Sequence, residues 1–96
     1  MLICCNCGRL MPKDSKYCPE CKAEVNDKFN RVFKCVRENI GRTPIYLIMA
    51  YSGISREQAV SYLEKLTSMR YVIGNIRDGY LITAAGAGIF KEKAKI

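Results

Sequence analysis

CCNCGRLMPKDSKYCPEC, residues 4–21, carries the most specific chemistry in the chain. It contains two Cys-x-x-Cys steps, Cys4 with Cys7 and Cys18 with Cys21. Two residues between paired cysteines allow a tight turn that directs both sulfurs, and the amides between them, at one ion. Two such turns complete the tetrahedral sulfur shell that zinc favours. We therefore expect one structural zinc ion held by these four thiolates.

The other two cysteines leave this assignment unchanged. Cys5 lies too close to Cys7 to repeat the x-x spacing, so we expect a small, partly buried side chain there. Cys35 lies beside an apolar stripe and is expected to pack at the core boundary. Iron held as in rubredoxin is the main rival to zinc, because the same four sulfurs accept it.

Charge and composition divide the chain into two segments. The net charge is +7, and residues 26–96 hold twelve Lys or Arg against six Asp or Glu. A basic surplus attracts polyanions such as nucleic acid. We expect a metal module at residues 1–25, unfolded without its ion, and a domain with its own core at residues 26–96.

Location and membrane association follow from the apolar pattern. No basic start and apolar run precedes Cys4, so we expect a cytoplasmic protein with reduced thiols rather than a disulfide scaffold. The longest apolar run, Ile45 to Tyr51, is much shorter than the roughly twenty residues that a bilayer requires. No membrane span is therefore expected.

Apolar residues then recur at helical steps. Asn26 can cap a first helix that ends at Gly41. Its inward positions would be Phe29, Val32, Phe33, Val36 and Ile40. Its outer face carries Lys28, Arg31, Lys34 and Arg37, and a solvated surface is the simplest interpretation of such a face.

Two further helices and a hairpin are predicted next. With Thr43 as cap and Pro44 at the first helical position, a short apolar helix is expected from about Ile45 to Tyr51, stopped by Gly53, and it must be covered by other elements. A capping box of Ser55 and Gln58 begins a third helix to about Ser68. The repeat of apolar residues then changes to every second position, which predicts strands at residues 71–76 and 80–83 joined by a turn at residues 77–79. The predicted last helix has a cap at Thr83, contains Gly86, Ile89 and Phe90, and reaches Lys91, Lys93 and Lys95.

Three stretches resemble known families. The Cys-x-x-Cys-Gly and Cys-Pro-x-Cys steps resemble N-terminal zinc ribbons of archaeal and bacterial proteins, which place short strands around Leu10 and Tyr17. Many relatives carry a second glycine where this chain has Lys22. Residues 53–60 resemble the turn and recognition-helix start of prokaryotic winged-helix regulators, and residues 79–86 resemble their second wing strand. The implied fold is α+β, a zinc ribbon with rubredoxin-like knuckles followed by a winged helix-turn-helix domain.

The resemblance implies a DNA-binding transcriptional regulator with no enzymatic activity. Its third helix would enter the major groove, and its hairpin wing would contact the flanking groove or backbone of double-stranded DNA. The implied DNA contacts are Arg56, Gln58, Ser61, Tyr62, Lys65, Arg70, Asn75, Arg77 and Tyr80. A homodimer is expected by analogy.

Two other functions stay open at this point. Zinc ribbons and winged helices also serve as docking modules, so the chain could be an adaptor of the transcription machinery that binds another protein. A thiol-based redox or metal sensor is the weaker alternative. The chain has no histidine, and no carboxylate pair or phosphate-binding loop points to catalysis.

Overall fold

Two short hairpins and a set of helices make up the chain. The computed structural model describes residues 2–94, with side chains described up to residue 89, so the predicted Lys95 and the side chains of Phe90, Lys91 and Lys93 lie outside it. The elements in order are β1 (Leu2–Ile3), β2 (Leu10–Met11), α1 (Asp27–Glu38), α2 (Ile45–Ser52), α3 (Arg56–Ser68), β3 (Val72–Asn75), β4 (Gly79–Ile82) and α4 (Ala84–Ala94). The chain is a small α+β protein.

The N-terminal segment forms a minimal ribbon. β1 pairs with β2 in antiparallel fashion, with Leu2 opposite Met11 and Ile3 opposite Leu10. A single antiparallel bridge joins Tyr17 to Glu24 around the second cysteine pair. Extended structure therefore occurs at Leu10 and Tyr17, as the sequence predicts, but only as very short pairings. We use the name ribbon for residues 2–25.

Helix α1 begins where the sequence predicts and ends earlier. The Asn26 side chain accepts a hydrogen bond of 3.0 Å from the Phe29 amide, which confirms the predicted cap. The helix ends at Glu38 because Asn39 adopts extended backbone angles. The prediction that Ile40 faces the core is wrong, since the chain has left the helix there and Ile40 is 98% exposed.

Helix α2 spans the predicted residues but has a different cap. Pro44 is the N-cap rather than the first helical residue, and Thr43 does not cap the helix. Thr43 instead exchanges two backbone hydrogen bonds, of 2.8 and 2.9 Å, with Tyr80 of β4. Both side chains are buried, so this bridge ties the connection between α1 and α2 to the hairpin.

Helix α3 and the hairpin follow the prediction closely. The capping box of Ser55 and Gln58 is present, and α3 ends at Ser68. β3 and β4 pair from Val72 opposite Ile82 to Asn75 opposite Gly79. The Thr83 hydroxyl accepts a hydrogen bond of 3.0 Å from the Gly86 amide, which confirms the cap of α4.

One buried cluster joins the helices to the hairpin. Helix α1 packs against α2, α3 and β4, and α3 packs against β3. The inward residues of these elements are fully or almost fully buried and include Phe29, Phe33, Ile48, Leu63, Leu66 and Val72. Within the described part of the chain, no helix has both the length and the apolar composition to cross a membrane.

The ribbon is attached to this core through Ile3. Its side chain is fully buried and belongs to the same cluster as Phe29 and Val32 of α1. The Asn30 side chain accepts a hydrogen bond of 2.8 Å from the Ile3 amide and donates one of 3.1 Å to the Ile3 carbonyl. A second tie joins the Tyr71 hydroxyl to the Gly8 carbonyl at 3.0 Å. The ribbon is therefore docked on the helices rather than tethered beside them.

We predict opposite effects for two glycines of α4. A Cβ atom at Gly86 would collide with the Tyr71 carbonyl oxygen and crowd the Ile82 side chain, whereas one at Gly88 would meet nothing. Gly86→Ala should lower the free energy of unfolding by about 1–3 kcal/mol through overpacking. Gly88→Ala should raise it by about 0.5–1 kcal/mol, because alanine favours the helix.

Urea unfolding monitored by circular dichroism would compare the two variants with the wild type. A Gly86→Ala variant as stable as Gly88→Ala would contradict the close approach of α4 to the hairpin.

Candidate metal centre

The four predicted ligands converge in the ribbon. Their sulfur atoms all lie within 4.8 Å of one another. The Sγ atoms of Cys4 and Cys21 are 3.4 Å apart, those of Cys7 and Cys18 are 3.6 Å apart, and those of Cys7 and Cys21 are 3.9 Å apart. Bonds of about 2.3 Å in a tetrahedral shell give sulfur separations of about 3.8 Å, while a disulfide needs about 2.05 Å. The cluster therefore has the dimensions of a metal site.

The two Cys-x-x-Cys turns, at Cys4–Cys7 and Cys18–Cys21, are called knuckles, and they repeat one backbone pattern. The Cys4 amide donates to the Arg9 carbonyl at 2.9 Å, and the Gly8 amide donates to the Cys4 carbonyl at 3.0 Å. In the second knuckle, the Cys18 amide donates to the Ala23 carbonyl at 2.9 Å, and the Lys22 amide donates to the Cys18 carbonyl at 2.8 Å. These turns aim peptide amides at the sulfurs, which stabilises thiolates.

Each turn needs a residue in the left-handed region. Gly8 has a φ of +75°, and its equivalent Lys22 has a φ of +61°. The second turn thus adopts the left-handed conformation for which the first uses glycine, although a lysine occupies the position. A residue with a Cβ atom pays about 1–2 kcal/mol in this conformation.

The thiols differ in their acidity. Burial raises the pKa of Cys4 to about 12, whereas the Ala23 amide, followed by the Asn6 side chain, lowers the pKa of Cys21 to about 6. Ligation requires all four as thiolates, so binding of a cation must release the protons of those thiols that are still protonated. Metal affinity therefore falls as the pH is lowered.

The remaining two thiols stay outside the cluster. Cys5 is half-buried and packs against the helical core, as predicted. Cys35 is 6% exposed, and burial, followed by the charge of Glu38, raises its pKa. A buried thiol with a raised pKa is poorly reactive.

Most of the proposed DNA contacts are exposed. Arg56, Gln58, Ser61 and Lys65 lie on the outer face of α3, and Arg70, Asn75 and Arg77 lie beyond it and on the hairpin. The Asn75 side chain binds Asp78 through two hydrogen bonds, of 2.8 and 3.2 Å, so it shapes the turn. The contact of these seven exposed residues with DNA stays a prediction.

Two tyrosines of that set lie elsewhere than expected. Tyr62 packs edge-on against Phe29, and its hydroxyl accepts a hydrogen bond of 3.1 Å from Asn26. Tyr80 is 6% exposed and lies in the core beneath the Thr43 bridge. The prediction that these tyrosines lie outside is wrong, because Tyr62 packs against Phe29 of α1 and Tyr80 is buried in the core.

An open groove separates α3 from the hairpin. Its volume is about 690 Å³, and its charged lining consists of Glu64, Arg77 and Asp78. The charged groups that line this groove are thus two carboxylates and one guanidinium. This groove does not itself provide the cationic surface that phosphate groups favour.

Sequence reasoning did not single out Asn30, which is essential to the position of the ribbon. Its side-chain amide satisfies both backbone groups of Ile3, which imitates the pairing of a neighbouring strand. An asparagine in an amphipathic helix is a common sequence feature, so only the three-dimensional arrangement reveals this role.

The cysteine pairing predicts distinct effects for neighbouring thiols. Purified wild type should contain about one equivalent of tetrahedral metal, zinc by ligand type. Cys7→Ser removes an exposed ligand and should reduce the bound metal to a small fraction of an equivalent. Cys5→Ser, the matched control two residues away, should keep the full equivalent.

Elemental analysis with an absorbance spectrum of freshly purified protein measures both content and identity. Visible bands from iron would contradict zinc, and equal metal loss in both variants would contradict the assigned ligands.

The strained turn gives a second prediction. Lys22→Gly should raise the free energy of unfolding of the metal-loaded protein by about 1 kcal/mol, because glycine adopts positive φ without strain. Lys22→Ala is the matched control, since it removes the same charge but keeps the strain. Thermal unfolding that shows equal stability for the two variants would contradict the left-handed turn.

No protein-family model, no curated protein and no solved structure matches the chain. The functional assignment therefore rests on the four thiols and on the surfaces of the helices and hairpins.

Proposed function

We propose that the protein binds double-stranded DNA as a winged helix-turn-helix regulator with a structural zinc ribbon. Three features support this architecture. Helices α2 and α3 are joined by the short turn Gly53–Ser55, in which Gly53 has a φ of +66°. A hairpin follows α3 directly, and the Thr43 bridge fastens that hairpin to the helical half. A three- to four-residue turn containing glycine is typical of helix-turn-helix units.

The observation that carries the proposal is the polar outer face of α3. Arg56 and Gln58 lie in its first turn, and Ser61 and Lys65 lie in the next turns, all exposed. Arginine can pair with guanine through two hydrogen bonds, and glutamine can do the same with adenine. Recognition helices place their N-terminal residues against base edges. Helix α3 is thus suited to the major groove, and Arg77 on the hairpin turn to the flanking phosphates.

The zinc ion has a structural role in this proposal. Four sulfur ligands fill a tetrahedral shell and leave no position for a substrate. When bound, the ion supplies the positive charge that holds four thiolates together. The ribbon would then be a docked accessory of the DNA-binding domain.

A protein-docking adaptor is the second candidate, supported by α2. The sequence predicts that this apolar helix is covered, and the structure contradicts that expectation for one face. Tyr46 is 72% exposed, Tyr51 45% and Leu47 37%. Exposed tyrosines beside apolar residues are enriched at protein interfaces.

Loss of charge from α3 should weaken DNA binding. In fluorescence anisotropy with a labelled mixed-sequence duplex at low salt, Arg56→Ala/Lys65→Ala should reduce affinity at least tenfold, because two cationic contacts are lost. Glu57→Gln on the same helix is the control. It removes a carboxylate near the phosphates, so its affinity should equal or exceed that of the wild type.

Unchanged binding by the double variant would exclude docking through α3 even if the protein binds DNA. Wild-type protein without any affinity for duplex at low salt would reject the proposed function and favour the adaptor.

A further inference from the structure

A cationic cleft lies between the ribbon and the outer face of α1. Its volume is about 470 Å³. Four of its lining side chains are cations, against one carboxylate, Asp27. Lys13 comes from the ribbon, and the other three, Arg31, Lys34 and Arg37, come from α1. None of its lining residues belongs to α3 or to the hairpin, so it is distinct from the surface proposed above.

The cations of this ribbon–α1 cleft form a row. Arg31, Lys34 and Arg37 follow one another at three-residue steps, which correspond to about 4.5 Å each along the helix axis. Lys13, Arg31 and Lys34 are exposed and make no ion pair with any residue that the structure describes. The Arg37 guanidinium lies 3.9 Å from the Glu38 carboxylate and 5.8 Å from the centre of the Phe33 ring, so Arg37 is already partly engaged within α1.

We propose that the ribbon–α1 cleft binds the phosphate backbone of double-stranded DNA. Duplex DNA carries one negative charge per about 1.7 Å of its axis, so a row of cations gains more from it than from a sparser polyanion. Arginine forks match phosphate oxygens in a bidentate manner. A protein partner would need apolar anchors at the centre of the contact, and the cleft is dominated by cations instead.

The cleft also supplies positive charge that the groove between α3 and the hairpin lacks. The groove between α3 and the hairpin has two carboxylates and one arginine, whereas the ribbon–α1 cleft has four cations and one carboxylate. Phosphate contacts supply most of the affinity for DNA, and base contacts supply sequence discrimination. The cleft therefore adds an affinity surface to the proposed function, and it shares with that function only the assumption that DNA is the ligand.

In this proposal, the metal site stabilises the ribbon that forms one side of the cleft. Lys13 lies in the loop between the two cysteine pairs, and the docking of Ile3 on Asn30 holds that loop beside α1. The ribbon thus forms one wall of the cleft. A folded ribbon is needed to place Lys13 opposite the cations of the helix.

The test measures how DNA affinity depends on salt. Anisotropy titrations with a mixed-sequence duplex at salt concentrations from about 50 to 200 mM give the slope of log affinity against log salt. Arg31→Gln/Lys34→Gln should weaken binding about tenfold at low salt and reduce the slope by about two. Lys13→Gln should reduce the slope by about one.

The matched control is Lys16→Gln/Lys28→Gln, which removes the same charge from residues that do not line the cleft. It should leave the slope within about half a unit of the wild-type value. Circular dichroism melting of each variant verifies that the fold is intact.

The α3 variant separates the two hypotheses. If only Arg56→Ala/Lys65→Ala weakens binding, the cleft proposal is wrong and docking through α3 stands. If only the cleft variants weaken binding, the cleft stands and the α3 model fails. Absence of wild-type binding, equal losses in the Lys16/Lys28 control, or displacement of DNA by polyglutamate at equal charge would each overturn the cleft proposal.

Discussion

The ribbon docks on α1 through a pair of hydrogen bonds between Asn30 and the backbone of Ile3. These bonds satisfy an amide and a carbonyl beside a fully buried side chain, where unpaired groups would cost about 1–3 kcal/mol each. They also orient the strand that leads directly into Cys4. Together with the hydrogen bond from Tyr71 to Gly8, this contact places the first cysteine turn and the loop with Lys13 beside α1.

The same contact changes how the two parts of the chain depend on each other. We expected a metal module that unfolds alone and a domain that survives without it. Ile3, however, fills space in the helical core beside Phe29 and Val32. Loss of the metal would release the strand that carries this side chain, and an emptied core position costs about 2–5 kcal/mol. Ile3 therefore belongs to the ribbon by sequence and to the helical core by packing.

The sequence predicted the local structure well where local rules decide it. Asn26, Thr83 and the Ser55–Gln58 box mark helix starts because capping is a contact within one turn. The sequence prediction was wrong at Thr43, which pairs with the distant Tyr80 instead of capping a helix. It was also wrong at Ile40, which is exposed because the helix ends before it. It also placed Tyr62 and Tyr80 outside, because helical and strand periods cannot tell which aromatic ring fills a gap between elements.

The sequence by itself determined the four cysteines of the candidate metal centre, the order of helices and strands, and most of the exposed face of α3. Fixed spacings and caps encode these features over a few residues. Only the tertiary structure decided where the charges of the two parts meet. Lys13 and Arg31 are far apart in the chain and adjacent across the cleft, because the ribbon docks through a buried isoleucine and one asparagine. Long-range contacts of this kind leave no periodic signal in a single sequence.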